Sequence, residues 1–350
     1  MDEFRGKVVL VTGGTGSIGS GIIRELLGRE VRRIIVLSRD EIAQFMMKRT
    51  LTDHRLCWHV GDIRDKECLE RIFDMHKMDI IYHAAAMKHV TICEEWPVEA
   101  VKTNILGTQN LLDIAQRHEF ERLIVISTDK AVYPTNVMGA SKFIAERMTL
   151  NAAKRSKSGQ VFSCVRFGNV LGSRGSVIPA MIQSLILTKR LYVTNSNVTR
   201  FGITISDAVR LIFEATRVAQ GGEIFVFKMK AFRLGDLVDI IINRVAPKLS
   251  ISRDQIEICN TGLLPGEKLH ETLVTEEESR NLYELNRMYL LLEERADLSR
   301  YKNPTKAELS AYTSRDSELL TAEDLERLVA EFLKSNFLTS IDYRDKHVEI

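Results

Sequence analysis

The sequence is poor in cysteine, proline and tryptophan, and it has no long apolar run. Its 350 residues include five cysteines, six prolines and two tryptophans. The odd cysteine count, without any Cys-x-x-Cys pair, argues against disulfides and bound metal and favours a reducing compartment. No apolar stretch approaches the roughly 20 residues that span a bilayer, and the first residues lack the pattern of a signal peptide. We therefore expect a cytoplasmic protein without membrane insertion.

Charge of either sign is not in large excess. The formal net charge is +2, so the overall charge does not favour nucleic acid as a partner, whereas a local basic pocket for a phosphorylated ligand is compatible with it. The apolar fraction of 45% and the charged fraction of 27% are typical of a globular protein with a sizeable core.

Short apolar runs alternate with helical segments through the first half of the chain. The predicted strands are Lys7–Thr12, Arg33–Leu37, Arg55–His59, Ile80–His83, Leu123–Ser127 and Val161–Arg166. The predicted helices between them include Ser20–Leu27, Lys66–Met75 and Val98–Arg117. Continuous apolar strands separated by helices indicate a parallel sheet covered on both faces, so we predict an α/β fold with a doubly wound, Rossmann-type sheet.

The pattern also predicts that the chain is divided into two regions. Residues 1–170 would form the dinucleotide-binding core, completed by parts of 200–228. Residues 171–350 would form mainly a smaller α/β substrate-binding part and a C-terminal region. That region is rich in charged residues from about Thr275. It is predicted to be mostly helical, for example from Asp316 to Ser335.

A glycine-rich turn follows the first predicted strand directly. In VVLVTGGTGSIGSGI, glycines at three-residue spacing permit a tight turn, close approach of backbone N–H groups to a pyrophosphate, and close helix packing. The positive N-terminal end of the following helix then stabilises the anion. The turn predicts a dinucleotide cofactor held by Gly13, Thr15, Gly16, Ser17, Ile18 and Gly19.

The end of the second strand distinguishes NADP from NAD. NAD-binding proteins usually have an acidic residue there, whereas this chain has Ser38 and Arg39, a hydroxyl and a guanidinium suited to a 2′-phosphate. Asp40 follows one position later and is predicted to cap the next helix. We therefore expect NADP, with NAD as the alternative. Further predicted cofactor contacts are Asp62 and Ile63 at the adenine, and Ala84, Ala85 and Ala86 after the fourth strand.

Several motifs occur in a fixed order between residues 13 and 271. They are GGTGSIG, GDIRD, HAAAMKHV, KTNILGT, STDKAVYPTNVMGASK, VRFGNVLGSRGSVIP, TRFGIT and PGEKLHE. Together they resemble the extended short-chain dehydrogenase/reductases, and within these the UDP-N-acetylglucosamine 4,6-dehydratases of polysaccharide biosynthesis, including inverting members. The resemblance implies a UDP-sugar substrate and a homo-oligomer.

The segment STDKAVYPTNVMGASK follows the fifth strand, at the sheet edge where open α/β proteins bind ligands. By the resemblance, Asp129 is the acid at the sugar O6, Lys130 is the base at C5, and the Thr128 hydroxyl hydrogen-bonds O4. Lys142 would bind the nicotinamide ribose. Met138 stands where related enzymes have a proton-shuttling Tyr, and a thioether cannot do that work. Outside this context, adjacent Asp and Lys residues usually form a solvated ion pair on a surface turn.

The second half of the chain provides the predicted substrate contacts. The resemblance matches Asn169 and Arg200 to the nucleotide diphosphate and Glu267 to the uridine ribose, with Arg174 and Ser176 on a nearby loop. Lys88, after the fourth strand, would face the sugar. Arginine suits phosphate because its planar donor fork binds two oxygens, although each of these residues alone is more often an ordinary surface or capping residue.

Three functions remain open on the sequence alone. A nucleotide-sugar 4,6-dehydratase explains the Asp129–Lys130 pair. A nucleotide-sugar 4-epimerase uses the same scaffold, but it needs no such pair and would suffer most from the missing Tyr. A non-catalytic dinucleotide-binding protein explains Met138, but not the joint presence of Thr128, Asp129, Lys130 and Lys142.

Overall fold

The chain folds into two compact units built from interleaved segments. The structure, a computed structural model, describes residues 2–157, 159–293 and 297–340. Unit 1 comprises Met1–Phe167, Ser206–Lys228 and Thr272–Tyr312, and unit 2 comprises Gly168–Ile205, Met229–Glu271 and Thr313–Ile350. The division differs from the predicted boundary at residue 170 because residues 272–312 belong to unit 1.

The strands are numbered in chain order. They are β1 Val8–Thr12, β2 Arg33–Ser38, β3 Leu56–Val60, β4 Ile80–His83, β5 Arg122–Ile126, β6 Val161–Arg166, β7 Asn169–Val170, β8 Arg190–Val193, β9 Thr199–Ile203, β10 Ile224–Phe227, β11 Ala231–Arg233, β12 Glu257–Asn260, β13 Thr272–Val274, β14 Leu282–Leu285, β15 Met288–Leu291, β16 Thr305–Lys306 and β17 Tyr312–Thr313.

The α-helices are numbered in the same way. They are α1 Ser17–Leu27, α2 Glu41–Thr50, α3 Lys66–Met75, α4 Val90–Glu95, α5 Pro97–Ala100, α6 Gly107–Ala115, α7 Val137–Lys154, α8 Val177–Thr188, α9 Ile205–Val218, α10 Leu234–Ile240, α11 Glu276–Ser279 and α12 Ala322–Ser340. None of the described helices combines the length and apolar character needed to cross a bilayer.

The largest described sheet lies in unit 1 and confirms the predicted fold class. Its parallel part has the strand order β10-β6-β5-β4-β1-β2-β3, with the reversal next to β1 that is typical of a doubly wound sheet. The six predicted strands are all present, and their ends agree with the prediction to within one residue. Strands β1 and β4 are buried along their whole length because helices cover both faces of such a sheet.

An antiparallel extension continues the sheet beyond β10, in the order β15-β14-β16. This corrects the expectation that the chain is mostly helical from about Thr275. Strands β14 and β15 form a hairpin with the two-residue loop Asn286–Arg287, in which Asn286 has a φ of 54°. Asparagine tolerates this left-handed backbone better than most residues, which suits a tight hairpin.

The predicted helix Val98–Arg117 is interrupted by a π-helical turn. The backbone is α-helical in α5, π-helical from Val101 to Leu106, and α-helical again in α6. Single π-turns inside helices widen the backbone locally and occur often at functional sites.

Unit 2 has its own apolar core. Helices α8, α10 and α12 contribute residues such as Ile178, Leu237 and Leu325 to a buried cluster. Strands β11, β9 and β7 form a three-stranded sheet in this unit. The helix predicted from Asp316 to Ser335 is observed as α12, which begins later, at Ala322.

Candidate functional site

The glycine turn after β1 forms the cradle that the sequence predicts. Gly13 has a φ of 65°, and a Cβ at this position would lie 2.7 Å from the backbone N and Cα of Ala85. Only glycine fits here, for reasons of both conformation and space. Gly16 precedes α1 and contributes no side-chain cap, and the positive end of the helix dipole at this place favours an anion. The structure therefore brings the predicted Gly13 and Ala85 segments together.

The residues at the end of β2 differ in their contacts. Ser38 is buried and its Oγ lies 2.7 Å from the Oγ1 of Thr15, so both hydroxyls are engaged inside the fold. Asp40 caps α2 by accepting a hydrogen bond from the N–H of Ala43 at 2.9 Å, which confirms its predicted capping role. The side chain of Arg39 is 54% exposed and lies 3.6 Å from a carboxylate oxygen of Asp62.

Asp62 is held by a second arginine. The Arg64 guanidinium donates to the Asp62 carboxylate at 2.8 Å and to Glu99 at 2.6 Å. Burial alone would raise the pKa of Asp62, but the Arg64 hydrogen bonds and the charges of Arg64 and Arg39 lower it. Ile63 is buried and packs against Gly107, at the start of α6.

The segment Thr128–Lys130 forms a tight turn directly after β5. Asp129 is fully buried, and its Oδ1 accepts hydrogen bonds from the Thr128 hydroxyl at 2.8 Å and the Lys130 ammonium at 3.1 Å. The other carboxylate oxygen, Oδ2, is also buried and has no hydrogen-bond partner among the described residues. A buried carboxylate oxygen without a partner is costly, and an atom of this kind calls for an explanation such as a bound group.

Backbone contacts on two sides hold this turn in place. The N–H of Asp129 donates to the carbonyl of Phe167 at 3.1 Å, which ties the turn to the end of β6. On the other side, a Cβ on Gly139 would lie 2.2 Å from the carbonyl oxygen of Lys130. Gly139 therefore lets the first turn of α7 approach the Asp129–Lys130 pair closely.

An ion network behind the turn joins three elements. Glu146 on α7 accepts a hydrogen bond from Ser127 at 2.6 Å and pairs with Arg166 through both carboxylate oxygens, at 3.0 and 2.7 Å. Arg166 also donates to Glu278 at 2.9 and 3.0 Å. Burial alone would lower the pKa of Arg166, but the two carboxylates raise it. We call Ser127, Glu146, Arg166 and Glu278 the Arg166 network.

Met138 and Lys142 are both buried on α7. The Met138 side chain packs in a small apolar cluster with Cys93 and Ala100. Burial lowers the pKa of Lys142, although the nearby Cys164 and Glu146 oppose this. The predicted contact of Lys142 with the nicotinamide ribose stays a prediction, and so does the place of Met138 in the catalytic site.

Asn104 is a positioning residue that the sequence reasoning missed. It lies in the π-helical turn and exchanges two hydrogen bonds with the backbone of Met87, at 2.8 and 2.9 Å. Its amide also donates to Ser141 on α7 at 2.9 Å. Asn104 therefore holds the loop after β4 against the helix that contains Lys142. The motif KTNILGT contains the signal, but its helical pattern gives no reason to single out one polar residue.

His83 at the end of β4 was also missed, and it joins three parts of the cradle. Its Nδ1 lies 2.8 Å from the Thr12 hydroxyl and its Nε2 lies 3.0 Å from the Thr108 hydroxyl. Since Thr108 donates to the carbonyl of Asn104, its oxygen accepts from Nε2–H, and Nδ1 accepts from Thr12. Burial, together with the charge of Lys142, lowers the pKa of His83 to about 3.

This burial predicts a stability change at mildly acidic pH. The unfolded ring has its ordinary pKa of 6.5, so the contribution is complete above that pH and is lost as the pH falls towards 3. We expect the free energy of unfolding to decrease by about 2 kcal/mol between about pH 7 and pH 5 because of this residue. Denaturant unfolding of the wild type and His83→Gln at both pH values checks this. An equal pH dependence in the two proteins would contradict it.

The predicted substrate residues of unit 2 differ in burial and in hydrogen bonding. Arg200 is buried and donates to Glu267 at 2.8 Å, so these two residues form a pair. Asn169 and Ser176 each have a buried side-chain oxygen that lacks a hydrogen-bond partner in the described part of the chain. Arg174 is exposed on the loop before α8.

Lys88 lies in unit 1, on the loop between β4 and α4, and its side chain is exposed. The neighbouring His89 precedes the first turn of α4. Burial and the charge of Lys88 lower the pKa of His89, so the ring is neutral near pH 7.

Comparison with known proteins identifies the family. A family model described as polysaccharide biosynthesis protein matches residues 9–293. The chain belongs to the polysaccharide biosynthesis protein family. An uncharacterized membrane protein of Methanocaldococcus jannaschii is 42% identical over 94% of this chain and 96% of its own length. A UDP-glucose 4-epimerase of Rickettsia rickettsii is 35% identical over 93% of this chain and 96% of its own length.

Solved structures agree with this membership of the polysaccharide biosynthesis protein family. The X-ray structure of Pen from Bacillus thuringiensis has a TM-score of 0.86 at 35% identity, over 95% of this chain and 99% of that one. A dTDP-glucose 4,6-dehydratase of Streptomyces venezuelae, solved with NAD bound, has a TM-score of 0.70 over 94% of this chain and 97% of that one. At 22% identity, this second likeness shows the fold alone. The chain thus has the Rossmann-type fold of nucleotide-sugar dehydratases and epimerases.

Proposed function

We propose that this chain is an NADP-dependent UDP-N-acetylglucosamine 4,6-dehydratase. The observation that supports this most directly is the buried carboxyl of Asp129, with one oxygen bonded to Thr128 and Lys130 and the other without a partner in the described residues. Removal of water across C5 and C6 of a sugar needs an acid and a base side by side, and this pair provides both.

The pair can act as acid and base because its two groups share one proton. Moving one proton from Lys130 Nζ to Asp129, across the 3.1 Å that separates them, converts an ion pair into a carboxylic acid beside a neutral amine. The neutral amine then takes the proton from C5, and the acid protonates O6 so that it leaves as water. The Thr128 hydroxyl would orient the sugar O4, whose proton would pass to solvent through a bound water. After Lys130 returns a proton to C5, a solvent proton would restore the pair. The sugar gives up protons from O4 and C5 and receives protons at O6 and C5, so the balance closes.

The glycine turn and the start of α1 fit a dinucleotide, because they offer backbone N–H groups and space for a pyrophosphate. Bound NADP would supply the hydride acceptor for C4 and the hydride donor for C6. Lys142 would hold the nicotinamide ribose, with Asn104 and His83 positioning the surrounding segments.

We propose that residues of unit 2 bind the nucleotide part of the substrate. Arg200 offers a guanidinium already fixed by Glu267, which suits a diphosphate. Asn169 and Ser176 have buried oxygens without a partner in the described residues, which suits bonding to a polar ligand. The family resemblance also suggests a homo-oligomer, which light scattering after size-exclusion chromatography would test.

A product assay tests the proposed activity. The protein with NADP and UDP-N-acetylglucosamine should form a product lighter by one water, detected by mass spectrometry. In deuterium oxide the product should contain solvent deuterium at C5, because an exchangeable group returns that proton. Binding of nucleotide sugars without any reaction would contradict the proposal and favour a non-catalytic role.

A 4-epimerase is the second candidate, because the relative from Rickettsia rickettsii has that name. An epimerase only oxidises and reduces C4, so its product would have an unchanged mass and no solvent deuterium at C5. The Asp129–Lys130 pair favours the dehydratase, because an epimerase removes no proton from C5 and protonates no leaving group at O6.

The preference for NADP predicts a selective effect of Arg39. Its half-exposed guanidinium at the end of β2 suits the 2′-phosphate that distinguishes NADP from NAD. Arg39→Ala should weaken NADP binding by about tenfold or more, about 1.4 kcal/mol, and leave NAD binding unchanged. Calorimetric titration with both cofactors measures this. Arg49→Ala, which removes an exposed arginine at the end of α2, is the matched control. Equal losses for NAD and NADP would exclude a 2′-phosphate contact.

A further inference from the structure

A cluster of metal-ligating side chains lies on β3 and at the end of α3, within unit 1. Cys57 and His59 are two residues apart on β3, so their side chains point to the same face of the sheet. His76 follows the last turn of α3 and brings its ring to the same place. All three side chains are half-buried, so an ion from solvent can reach them. We call these residues the β3–α3 cluster.

The donor atoms of the β3–α3 cluster are spaced as the corners of a metal coordination tetrahedron. The Sγ of Cys57 lies 3.3 Å from Nε2 of His59 and 3.9 Å from Nε2 of His76, and the two Nε2 atoms are 3.0 Å apart. Zinc bonds of about 2.3 Å to sulfur and about 2.0–2.1 Å to nitrogen at tetrahedral angles require separations of roughly 3.5 Å and 3.3 Å. Small side-chain adjustments would therefore complete three corners.

We propose that the β3–α3 cluster binds a zinc ion through Cys57, His59 and His76, with a water molecule as the fourth ligand. A thiolate and two imidazoles form a donor set that suits zinc and does not suit magnesium or calcium. Without an ion, the Nε2 atoms of His59 and His76 lie at hydrogen-bond distance from each other beside the Cys57 thiol, so these atoms compete for a proton. A bound cation removes this competition, because each atom then gives a lone pair to the metal.

The surroundings agree with a bound cation. The Nε2 atoms of His59 and His76 are 3.0 Å apart, so they cannot both carry a proton on the line between them, and at least one offers a lone pair to a cation.

The position of the β3–α3 cluster indicates a structural role. Strand β3 is an edge strand of the sheet, and β2, β1 and β4 separate it from β5, which precedes the Asp129 turn. A zinc ion would link this edge strand to the end of α3, 17 to 19 residues further along the chain. The cluster therefore lies outside the proposed catalytic machinery, and its occupancy can be tested independently of turnover.

Cobalt titration of the chelator-treated, tag-free full chain tests the proposal. Wild-type protein should bind one Co²⁺ with the absorption bands of tetrahedral cobalt and a thiolate-to-cobalt charge-transfer band, and Zn²⁺ should displace it. Cys57→Ser should abolish the charge-transfer band, and His76→Gln should weaken binding by at least about tenfold. His54→Gln, which removes a 93% exposed histidine close by, is the matched control and should bind like wild type.

Thermal unfolding gives a second readout. Stoichiometric zinc should raise the Tm of wild type and His54→Gln but not that of Cys57→Ser, and circular dichroism shows whether each variant is folded. Absence of the charge-transfer band in wild type, or equal zinc affinity in wild type and both cluster variants, would overturn the proposal.

Discussion

Lys130→Ala is expected to lower the turnover of UDP-N-acetylglucosamine by about 10²–10⁴-fold, the usual contribution of a positioned acid or base. The amine lies 3.1 Å from the Asp129 carboxylate, and its loss removes both the base for C5 and the proton that Asp129 would deliver to O6. The side chain is only 19% exposed, so solvent cannot readily replace it. Steady-state kinetics by mass spectrometry measures the effect.

Two further variants separate this role from a general loss of structure. Asp129→Asn keeps the shape of the side chain but cannot protonate O6, so it should still oxidise C4 and accumulate reduced nicotinamide without releasing water. Tyr133→Phe is the control, because Tyr133 is 60% exposed nearby and should barely change turnover. A Lys130→Ala protein with nearly wild-type turnover would refute the assignment of the pair.

Arg166→Met is expected to lower the free energy of unfolding by about 3–5 kcal/mol, the cost of leaving a buried charge without its partner. Arg166 is 1% exposed and Glu146 is fully buried, so removal of the guanidinium leaves the Glu146 carboxylate with Ser127 as its remaining hydrogen-bond donor among the described residues. Chemical denaturation measures the change.

Arg147→Ala provides the matched control for this experiment. Arg147 lies 3.8 Å from the same Glu278 but is 48% exposed, and such surface pairs contribute about 0–1 kcal/mol. A loss of similar size in both variants would show that the Arg166 network does not stabilise unit 1 specifically.

The parallel sheet could be predicted almost completely from the sequence. Strands such as Val8–Thr12 and Ile80–His83 are buried on both faces, so they appear in the sequence as continuous apolar runs with sharp ends. The hairpin from Leu282 to Leu291 could not be recognised in the same way. Its residues lie in a charged segment, and their strand conformation depends on pairing with distant β10.

The candidate site was predictable where residue type alone implies chemistry. Gly13 and the Asp129–Lys130 turn stand at strand ends, where a doubly wound sheet binds its ligands. The roles of Asn104 and His83 depend on contacts with Met87, Ser141 and Thr108, which are formed only in the folded chain. For the same reason, the sequence suggested no metal site, because His76 reaches the Cys57–His59 pair only through the packing of α3.

The strands β10 and β15 pair with each other but are far apart in the chain, which affects the chain during its synthesis. Strand β10 ends at Phe227, whereas its antiparallel partner β15 begins at Met288, and Met229–Glu271 of unit 2 lie between them. On the ribosome, the outer edge of β10 therefore emerges long before its partner does. An uncovered strand edge of apolar residues can pair with other chains. Nascent chains that stop before Met288 thus expose a strand edge that can aggregate.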